Sequence, residues 1–209
     1  MKRILRPDSN CIDIGCHSGK ILDRILTLAP EGSHWAFEPL PDLYQRLRQK
    51  YANRRVTVSP FALSDTEGGS AFKHVKNSPG YSGFRKRTYH IPFPHIEEIT
   101  VQKKRLDNIL PADYRADLIK LDVEGAELEV LRGARETILR NKPVIIFEHG
   151  IGAAPFYHTT PGDIHDLLTS YGLKIFTLKD WLNRKPALDK TVFANQFRTE
   201  KNYYFIASA

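Results

Sequence analysis

The sequence is poor in cysteine and contains no long apolar run. Its 209 residues include two cysteines, Cys11 and Cys16, which lie too close together to staple a domain and predict a reducing compartment. No apolar run approaches the roughly 18 residues that a transmembrane helix needs, and the first 15 residues lack the apolar core of a signal peptide. We therefore expect a soluble, cytoplasmic protein without a membrane span.

The composition is that of a globular protein. Hydrophobic residues make up 41% of the chain and charged residues 26%, which excludes a disordered or collagen-like chain. A chain of this length can bury a sizeable core without a disulfide or a structural metal. We predict a single domain over residues 1–209, and the sequence leaves its oligomeric state open.

Basic residues outnumber acidic ones by 31 to 24, for a formal net charge of +7. The excess is concentrated in residues 73–105, where eight lysines and arginines face only Glu97 and Glu98. Such a cluster can attract phosphate, an anionic glycan or nucleic acid. The alternative interpretation is a solvated helix face and hairpin rim, and charge alone does not decide between them.

Strand and helix patterns alternate along the chain. Short apolar strands are predicted at 10–14, 35–37 and 56–61, with amphipathic helices over 21–28 and 43–51 between them. The alternation resumes with strands at 117–122, 143–147 and 173–178, helices over 126–138 and 163–171, and a last strand at 203–207. This order predicts a parallel sheet with helices on both faces.

The alternation is interrupted in the middle of the chain. Residues 66–105 contain several Gly and Pro turn signals, with strand-like runs at 71–75 and 100–105. We predict an inserted β-hairpin with a loop between its strands, and an irregular stretch of this length is more typical of a binding lid than of a linker.

A glycine-containing loop follows the first predicted strand. It reads Asp13-Ile14-Gly15-Cys16-His17-Ser18-Gly19, where Gly15 and Gly19 let the backbone pass close to a ligand before a helix begins. Glu38 ends the second strand, where an acidic side chain can accept the hydroxyl groups of a ribose. The spacing differs from the G-x-G-x-x-G of nicotinamide sites, and it is the spacing used for S-adenosylmethionine.

Further motifs follow in a fixed order. They are Phe37-Glu38-Pro39, Phe61-Ala62-Leu63-Ser64-Asp65, Arg105-Leu106-Asp107, Leu118-Ile119-Lys120-Leu121-Asp122-Val123-Glu124-Gly125-Ala126-Glu127, Val130-Leu131-Arg132-Gly133-Ala134 and Ile146-Phe147-Glu148-His149. With these motifs, residues 10–150 resemble the FkbM-type family of methyltransferases. The most specific of them is the segment I-K-L-D-V-E-G-A-E at 119–127.

The resemblance implies a Rossmann-like class I fold with seven strands, the last of them antiparallel, and S-adenosyl-L-methionine as the methyl donor. It also implies O-methylation of a sugar or polyketide hydroxyl. The chain differs from longer members in starting almost directly at the first strand, where those members have a helix that covers the cofactor.

These motifs define the predicted cofactor site. Its residues are Asp13, Gly15, Cys16, His17, Gly19, Glu38, Pro39, Phe61, Ala62 and Asp122. Cys16 and His17 are expected to contact the cofactor through their backbone, and Phe61 and Ala62 to border the adenine. A tight turn without a ligand is the alternative for the glycine loop, and Glu38 favours the cofactor.

Asp122 and His149 are the candidate catalytic residues. Each ends a strand, and a base near the transferred methyl group would take the proton of an acceptor hydroxyl. The acidic side chains Asp122, Glu124 and Glu148 could instead hold Mg²⁺, a minority alternative. We predict no metal ligands among Cys11, Cys16 and His17. Lys120 shares a sheet face with Asp122 and is expected to neutralise it.

The favoured function is therefore O-methylation of a hydroxyl on a saccharide or a small metabolite, with an anionic acceptor as one option. RNA methylation is an alternative motivated by the basic insertion, although no aromatic RNA platform or base-amine signature is present. A cofactor-binding module without catalysis is a third possibility, and a nicotinamide dehydrogenase is a distant fourth.

Overall fold

A seven-stranded sheet forms the centre of the molecule. The computed structural model describes all residues, 1–209. The strands of the main sheet are β1 (Cys11–Ile14), β2 (His34–Phe37), β3 (Val56–Ser59), β7 (Leu118–Leu121), β8 (Val144–Glu148), β9 (Lys174–Thr177) and β10 (Tyr204–Ser208). Their order is β3-β2-β1-β7-β8-β10-β9, and β10 runs antiparallel to both of its neighbours. The predicted seven-stranded, mostly parallel sheet with an antiparallel last strand is confirmed.

Seven helices connect the strands. They are α1 (Lys20–Leu28), α2 (Pro41–Lys50), α3 (Glu127–Gly133), α4 (Arg135–Asn141), α5 (Pro161–Ser170), α6 (Leu178–Leu182) and α7 (Lys190–Arg198). The helix expected over 126–138 is two helices that meet at Ala134. The patterns did not predict α6 or α7. No helix is both long and apolar enough to cross a membrane.

Helices cover both faces of the main sheet, as predicted. The larger core joins inward residues of β1, β7, β8 and β10 to apolar side chains of α3, α4, α5 and α7. On the opposite face, Leu22 and Leu26 of α1 and Leu47 of α2 pack against Ala36 of β2. The helices α1 to α5 and α7 are therefore each held by an apolar stripe, which is what the 3.6-residue periodicity of the sequence indicates.

A second sheet of three strands holds the predicted insertion. Strands β5 (Gly68–Val75) and β6 (Ile96–Lys104) pair antiparallel, and the short strand β4 (Ala62–Leu63) pairs parallel with β6. The hairpin strands are longer than predicted. Leu40, Ala62, Phe72 and Val101 form a small core of their own. This core fixes the second sheet beside the end of β2, at the edge where the parallel strands of the main sheet end.

Candidate active site

The carboxyl ends of β1, β2 and β7 surround a cavity of about 570 Å³. Ligands of open α/β sheets bind at this edge, where the strand order reverses. The wall of the cavity combines the loop after β1, the ends of β2 and β7 and parts of the insertion. Among its residues are Gly15, Cys16, His17, Ser18, Glu38, Pro39, Phe61, Ala62, Phe72, Ser82, Phe84, Lys120, Asp122, Glu124 and Tyr204.

Gly15 permits a close approach between two strand ends. Its φ is +74°, and a Cβ at this position would lie 1.9 Å from the carbonyl oxygen of Asp122. A side chain is therefore excluded by both conformation and space. The sequence predicted a glycine that lets the backbone approach a ligand. In the structure, the atom nearest to a Cβ at this position belongs to the backbone of Asp122.

Gly19 lies against the Tyr51 side chain. It begins α1 with φ +76°, and the Tyr51 hydroxyl donates a hydrogen bond of 2.9 Å to its carbonyl oxygen. A Cβ here would lie 2.4 Å from the same hydroxyl. Gly19 does not line the cavity. The structure thus shows a packing requirement at Gly19, and its part in cofactor binding stays a prediction.

The amides of the loop are mostly bonded within the protein. The N–H groups of Gly15 and Cys16 both donate to the Phe37 carbonyl, and that of Gly19 donates to the Cys16 carbonyl. The amide of Ser18 makes no hydrogen bond within the protein, and Ser18 lines the cavity. The His17 amide donates to Glu38, so neither Cys16 nor His17 has a free amide for the predicted backbone contacts with a ligand. Ser18 is the available donor.

Glu38 is the buried carboxylate of the cavity wall. One of its oxygens accepts the His17 amide at 2.8 Å and the other accepts the Leu40 amide at 3.0 Å. Only 4% of the residue is exposed, and burial raises the pKa of Glu38 to about 7 although both hydrogen bonds oppose the shift. Each oxygen keeps one lone pair for a hydroxyl donor.

Asp13 lies behind the cavity and not in its wall, because its side chain is fully buried. Its nearest cation is the Lys120 ammonium, 3.6 Å away, and neither carboxylate oxygen accepts a hydrogen bond. The prediction that Asp13 contacts the cofactor directly is therefore not supported. Burial raises the pKa of Asp13 to about 6 against the opposing effect of Lys120.

Lys120 links the two strand-end carboxylates. Its ammonium donates to the Gly15 carbonyl at 2.9 Å and lies 3.4 Å from Asp122. Burial disfavours the charge, but Asp13 and Asp122 outweigh it and leave the pKa of Lys120 above its usual value. The expected neutralisation of Asp122 is present, and Lys120 balances Asp13 as well.

Asp122 is the carboxylate that faces the cavity at the end of β7. The Tyr204 hydroxyl donates to it at 2.9 Å. Although burial alone would raise the pKa of Asp122, Lys120, Glu148 and Tyr204 hold it below its usual value. Burial and the adjacent Asp122 raise the pKa of Glu148 to about 10. A neutral Glu148 therefore shares its proton with an ionised Asp122 at neutral pH.

His149 does not face the crevice as expected. Its ring stacks on Phe197 at 4.9 Å and on Phe193 at 5.8 Å between centroids, and only 1% of the residue is exposed. Neither ring nitrogen has a hydrogen-bond partner, and burial lowers the pKa of His149 to about 4. Because side chains alternate along a strand, His149 points away from the face that carries Glu148. The structure thus places this candidate base in the core, under α7.

Asp122, Glu124 and Glu148 bring carboxylate oxygens within 4.8 Å of one another. This spacing would allow the three carboxyl groups to share a cation. Glu124 pairs with Arg87 and Asp122 pairs with Lys120. Mg²⁺ would therefore compete with these two side chains, and the minority alternative stays a prediction.

The insertion contributes apolar side chains to the cavity. Phe72 and Phe84 line the wall, whereas the lysines and arginines of residues 73–105 do not. Arg87 is buried, pairs with Glu124, donates to the Gly152 carbonyl at 3.2 Å and lies over the Tyr81 ring. The interpretation of these cations as a grip on an anionic acceptor is therefore not supported by their positions.

Tyr204 and Phe84 were missed by the sequence analysis. Tyr204 belongs to the last strand and reaches Asp122 only because β10 inserts beside β8, where Tyr204 pairs with Glu148. Phe84 lies in the irregular part of the insertion. Neither position carries a local signal of a site, although the aromatic pair at 203–204 lies where the last strand begins.

Comparison with known proteins points to one family. The model of the methyltransferase FkbM domain matches residues 13–175. The 2-O-methyltransferase NoeI of Sinorhizobium fredii is 32% identical over 151 residues, which cover 66% of this chain and 62% of NoeI. Methyltransferase sdnD of Sordaria araneosa is 30% identical over 170 residues, covering 66% of each chain. This chain thus spans about two thirds of the length of these curated relatives.

Solved structures agree on the fold. The FkbM methyltransferase of Methylobacillus flagellatus superposes with a TM-score of 0.61 at 16% identity, over 98% of this chain and 44% of that one. The fibrillarin/Nop5p complex gives a TM-score of 0.52 at 14% identity, over 98% and 73% of the two chains. At such identities the similarity shows the fold alone.

Proposed function

The chain belongs to the FkbM family of S-adenosylmethionine-dependent methyltransferases, and from this premise we propose that it methylates a hydroxyl group of a saccharide or small metabolite. Methyl transfer is the activity of the family. The choice of oxygen as the acceptor atom is supported by the relative NoeI, which is a 2-O-methyltransferase. The cofactor part of the proposal depends most on a single observation, the buried Glu38 carboxylate in the wall of the cavity.

Glu38 fits the ribose of the cofactor. Its two oxygens are fixed by amides of two different segments, the loop after β1 and the turn after β2. The remaining lone pairs can accept two vicinal hydroxyls, and a carboxylate so oriented needs no rearrangement on binding. A ligand without paired hydroxyls would leave these lone pairs without a donor in a buried site, which is costly.

Other residues fit the remaining parts of the cofactor. The free amide of Ser18, beside the start of α1, suits the carboxylate of the amino-acid part. Phe61, Ala62 and Pro39 supply an apolar wall for the adenine. Asp13 contributes indirectly, by keeping Lys120 charged and in place between the glycine loop and Asp122.

When bound, S-adenosylmethionine supplies a methyl group on a positively charged sulfur, which is open to in-line attack by an oxygen. Asp122 is the candidate base, because it is ionised, faces the cavity and lies at the end of β7. Tyr204 and the protonated Glu148 orient it. A carboxylate held in this way takes the proton of the acceptor hydroxyl late in the transfer.

The cofactor proposal is tested by calorimetric titration of S-adenosylmethionine and S-adenosylhomocysteine. Wild type is expected to bind both, and Glu38→Ala to bind each about 100-fold more weakly, because two charge-assisted hydrogen bonds are lost. Glu31→Ala is the matched control, since Glu31 is an exposed acid near α1 without a side-chain partner. Unchanged affinity in Glu38→Ala would overturn the assignment of Glu38, and absence of binding by wild type would overturn the site.

The acceptor proposal needs a separate experiment. A panel of hydroxyl, amine and thiol compounds is incubated with S-adenosylmethionine, and formation of S-adenosylhomocysteine is followed. Turnover on hydroxyl compounds only, lost in Asp122→Asn with cofactor affinity retained, is the expected result. Turnover confined to amines or thiols would contradict O-methylation, and binding without turnover on any class would favour a cofactor-binding module.

A further inference from the structure

One large apolar side chain stands apart from all others in its exposure. Phe93 lies in the connection between β5 and β6, residues 76–95, which we call the insertion loop. It is 93% exposed, whereas the next most exposed large apolar residue, Tyr203, is 55% exposed. Its neighbours Pro92 and Pro94 are exposed as well, so the loop presents an apolar tripeptide to its surroundings.

The position of Phe93 is fixed by the surrounding backbone. Its φ is +52°, a left-handed conformation that bulky residues rarely adopt. The Asn77 side chain donates to the Phe93 carbonyl at 3.1 Å and accepts the His95 amide at 3.0 Å. Strained residues of this kind persist where the surroundings enforce them, often at binding sites. The backbone of Phe93 is therefore fixed by the protein in a conformation that leaves the residue 93% exposed.

The insertion loop is also positively charged. Between Glu67 and Glu97 the chain contains no acidic residue. Lys76 is paired with Glu97, and Arg87 is buried on Glu124. Arg85 and Lys86 are exposed and form no salt bridge. The loop thus combines two exposed cations that form no salt bridge with one exposed aromatic side chain on a fixed backbone.

We propose that the insertion loop is a membrane-surface contact, in which Phe93 enters the headgroup region of an anionic bilayer while Arg85 and Lys86 bind lipid phosphates. An exposed aromatic side chain on the same loop as unpaired cations offers the two interactions that membrane-surface contacts use, apolar insertion and attraction to anionic lipid. The contact would be weak and reversible, because each cation near an anionic surface raises the affinity only about fivefold.

A bilayer fits these observations better than a nucleic acid does. Binding of single strands uses several aromatic rings spaced along a basic groove. The other aromatic residues of the loop are engaged inside the protein, since Tyr81 and Tyr89 contact each other edge to face at 6.2 Å and Arg87 covers Tyr81. Phe93, between two prolines, is thus the one exposed Phe or Tyr ring of the loop. A single ring can enter a bilayer without neighbouring rings beside it.

The same loop borders the proposed acceptor site. Its residues Pro79, Gly80, Ser82 and Phe84 line the cavity. A membrane contact at Phe93 would therefore bring the acceptor side of the cavity close to the lipid surface. This inference does not depend on the identity of the acceptor, and its test does not use catalysis.

The test is flotation with vesicles of phosphatidylcholine, with and without phosphatidylglycerol. Wild type is expected to float with the anionic vesicles only, and less so at high salt. Phe93→Ser should reduce the partition coefficient at least tenfold, and the double variant Arg85→Ser, Lys86→Ser about 25-fold. Val192→Ser removes another exposed apolar residue, and Arg46→Ser with Arg48→Ser removes two other exposed cations, so these variants are the matched controls.

Insertion is measured separately from attraction. Both native cysteines are buried, so Phe93→Cys offers a single exposed thiol for an environment-sensitive fluorophore. A blue shift on anionic vesicles is expected at position 93 and not at the control His90→Cys. Cofactor affinity and thermal melting of every variant report whether it is folded.

Several outcomes would overturn the proposal. These are no flotation by wild type, equal loss in the control variants, equal binding to neutral vesicles, or binding without a shift of the fluorophore. Phe93-dependent binding of a single-stranded RNA oligonucleotide in place of vesicles would overturn it in favour of nucleic acid. None of these outcomes bears on cofactor binding, so failure here is distinguishable from failure of the proposed function.

Discussion

The two halves of the cavity are built in different ways. The half that we propose for the cofactor, called the cofactor half, consists of strand ends and the turns that follow them, and hydrogen bonds such as those of Glu38 join neighbouring strands. The half that we propose for the acceptor, called the acceptor half, is held by contacts between segments far apart in the chain. Arg87 reaches Glu124 and Gly152, and the Tyr157 hydroxyl accepts the Arg85 amide. The first half follows from the sheet, and the second depends on how three loops meet.

The two halves do not differ in strain or in unsatisfied groups. Neither oxygen of the buried Asp13 has a hydrogen-bond partner in the first half, and the buried Nε of Arg87 has none in the second. His17 and Glu124, one in each half, have φ of +47° and +61°. The halves differ in the distance along the chain between the segments they join, so the second half can change its packing without moving the strand ends.

The largest effect is expected from breaking the cofactor half at its closest approach. Gly15→Ala should destabilise the protein by about 4 kcal/mol, because the new Cβ would lie 1.9 Å from the Asp122 carbonyl in a left-handed conformation. Urea unfolding and titration with S-adenosylhomocysteine measure the stability and the loss of binding. Gly69→Ala is the control, since its Cβ would meet only side-chain atoms at 3.7 Å. Equal stability of the two variants would mean that the strand ends are not rigid.

The next largest effect is expected at the carboxyl pair of Asp122 and Glu148. Here the substitution should increase the free energy of unfolding instead of lowering it. The raised pKa of Glu148, about 10, means that its contribution to stability is full below pH about 4.5 and is lost as the pH rises toward 10. Glu148→Gln is neutral in both states and escapes this loss. The variant should therefore be more stable than wild type by about 3 kcal/mol at pH 7.

Urea unfolding of wild type and Glu148→Gln from pH 4 to pH 9 measures this gap, which should widen with pH. Glu136→Gln is the control, because Glu136 is an exposed acid. A gap that is absent or that narrows with pH would show that Glu148 is ionised, and the orientation of Asp122 would need another explanation.

A smaller effect is expected from opening the acceptor half. Arg87→Ala leaves Glu124 partly buried without its cation, and the cost should be about 2 kcal/mol, less than for a fully buried pair because 22% of the Glu124 side chain is exposed. The double variant with Glu124→Gln should recover part of this loss. Affinity for S-adenosylhomocysteine should change less than about threefold, since the cofactor half is intact. A large loss of affinity would show that the halves are coupled.

The same contrast explains what could be predicted from the sequence. The alternation of strands and helices, Gly15 and Glu38 follow from periodicity and strand ends, because parallel strands bring their carboxyl ends to one edge. The roles of Asp13, Gly19 and Tyr204 depend on which face a side chain takes and on which strand inserts beside β8. The break between α3 and α4 at Ala134 also escapes the pattern, because both helices keep one apolar stripe against the same core.

His149 belongs to neither half, and its replacement should have the smallest effect at neutral pH. The lowered pKa of His149, about 4, means that its contribution to stability is full above pH about 6.5 and is lost as the pH falls toward 4. A phenylalanine ring can take the place of the His149 ring against Phe193 and Phe197, and it removes the two ring nitrogens that have no hydrogen-bond partner. His149→Phe should change the free energy of unfolding by less than about 1 kcal/mol at pH 7, yet exceed wild type by about 2 kcal/mol at pH 5. Unfolding at both pH values, with His165→Phe as a control, measures this difference. If wild type and His149→Phe lost equal stability between pH 7 and pH 5, His149 would be solvated in the folded protein. It would then return as a candidate base.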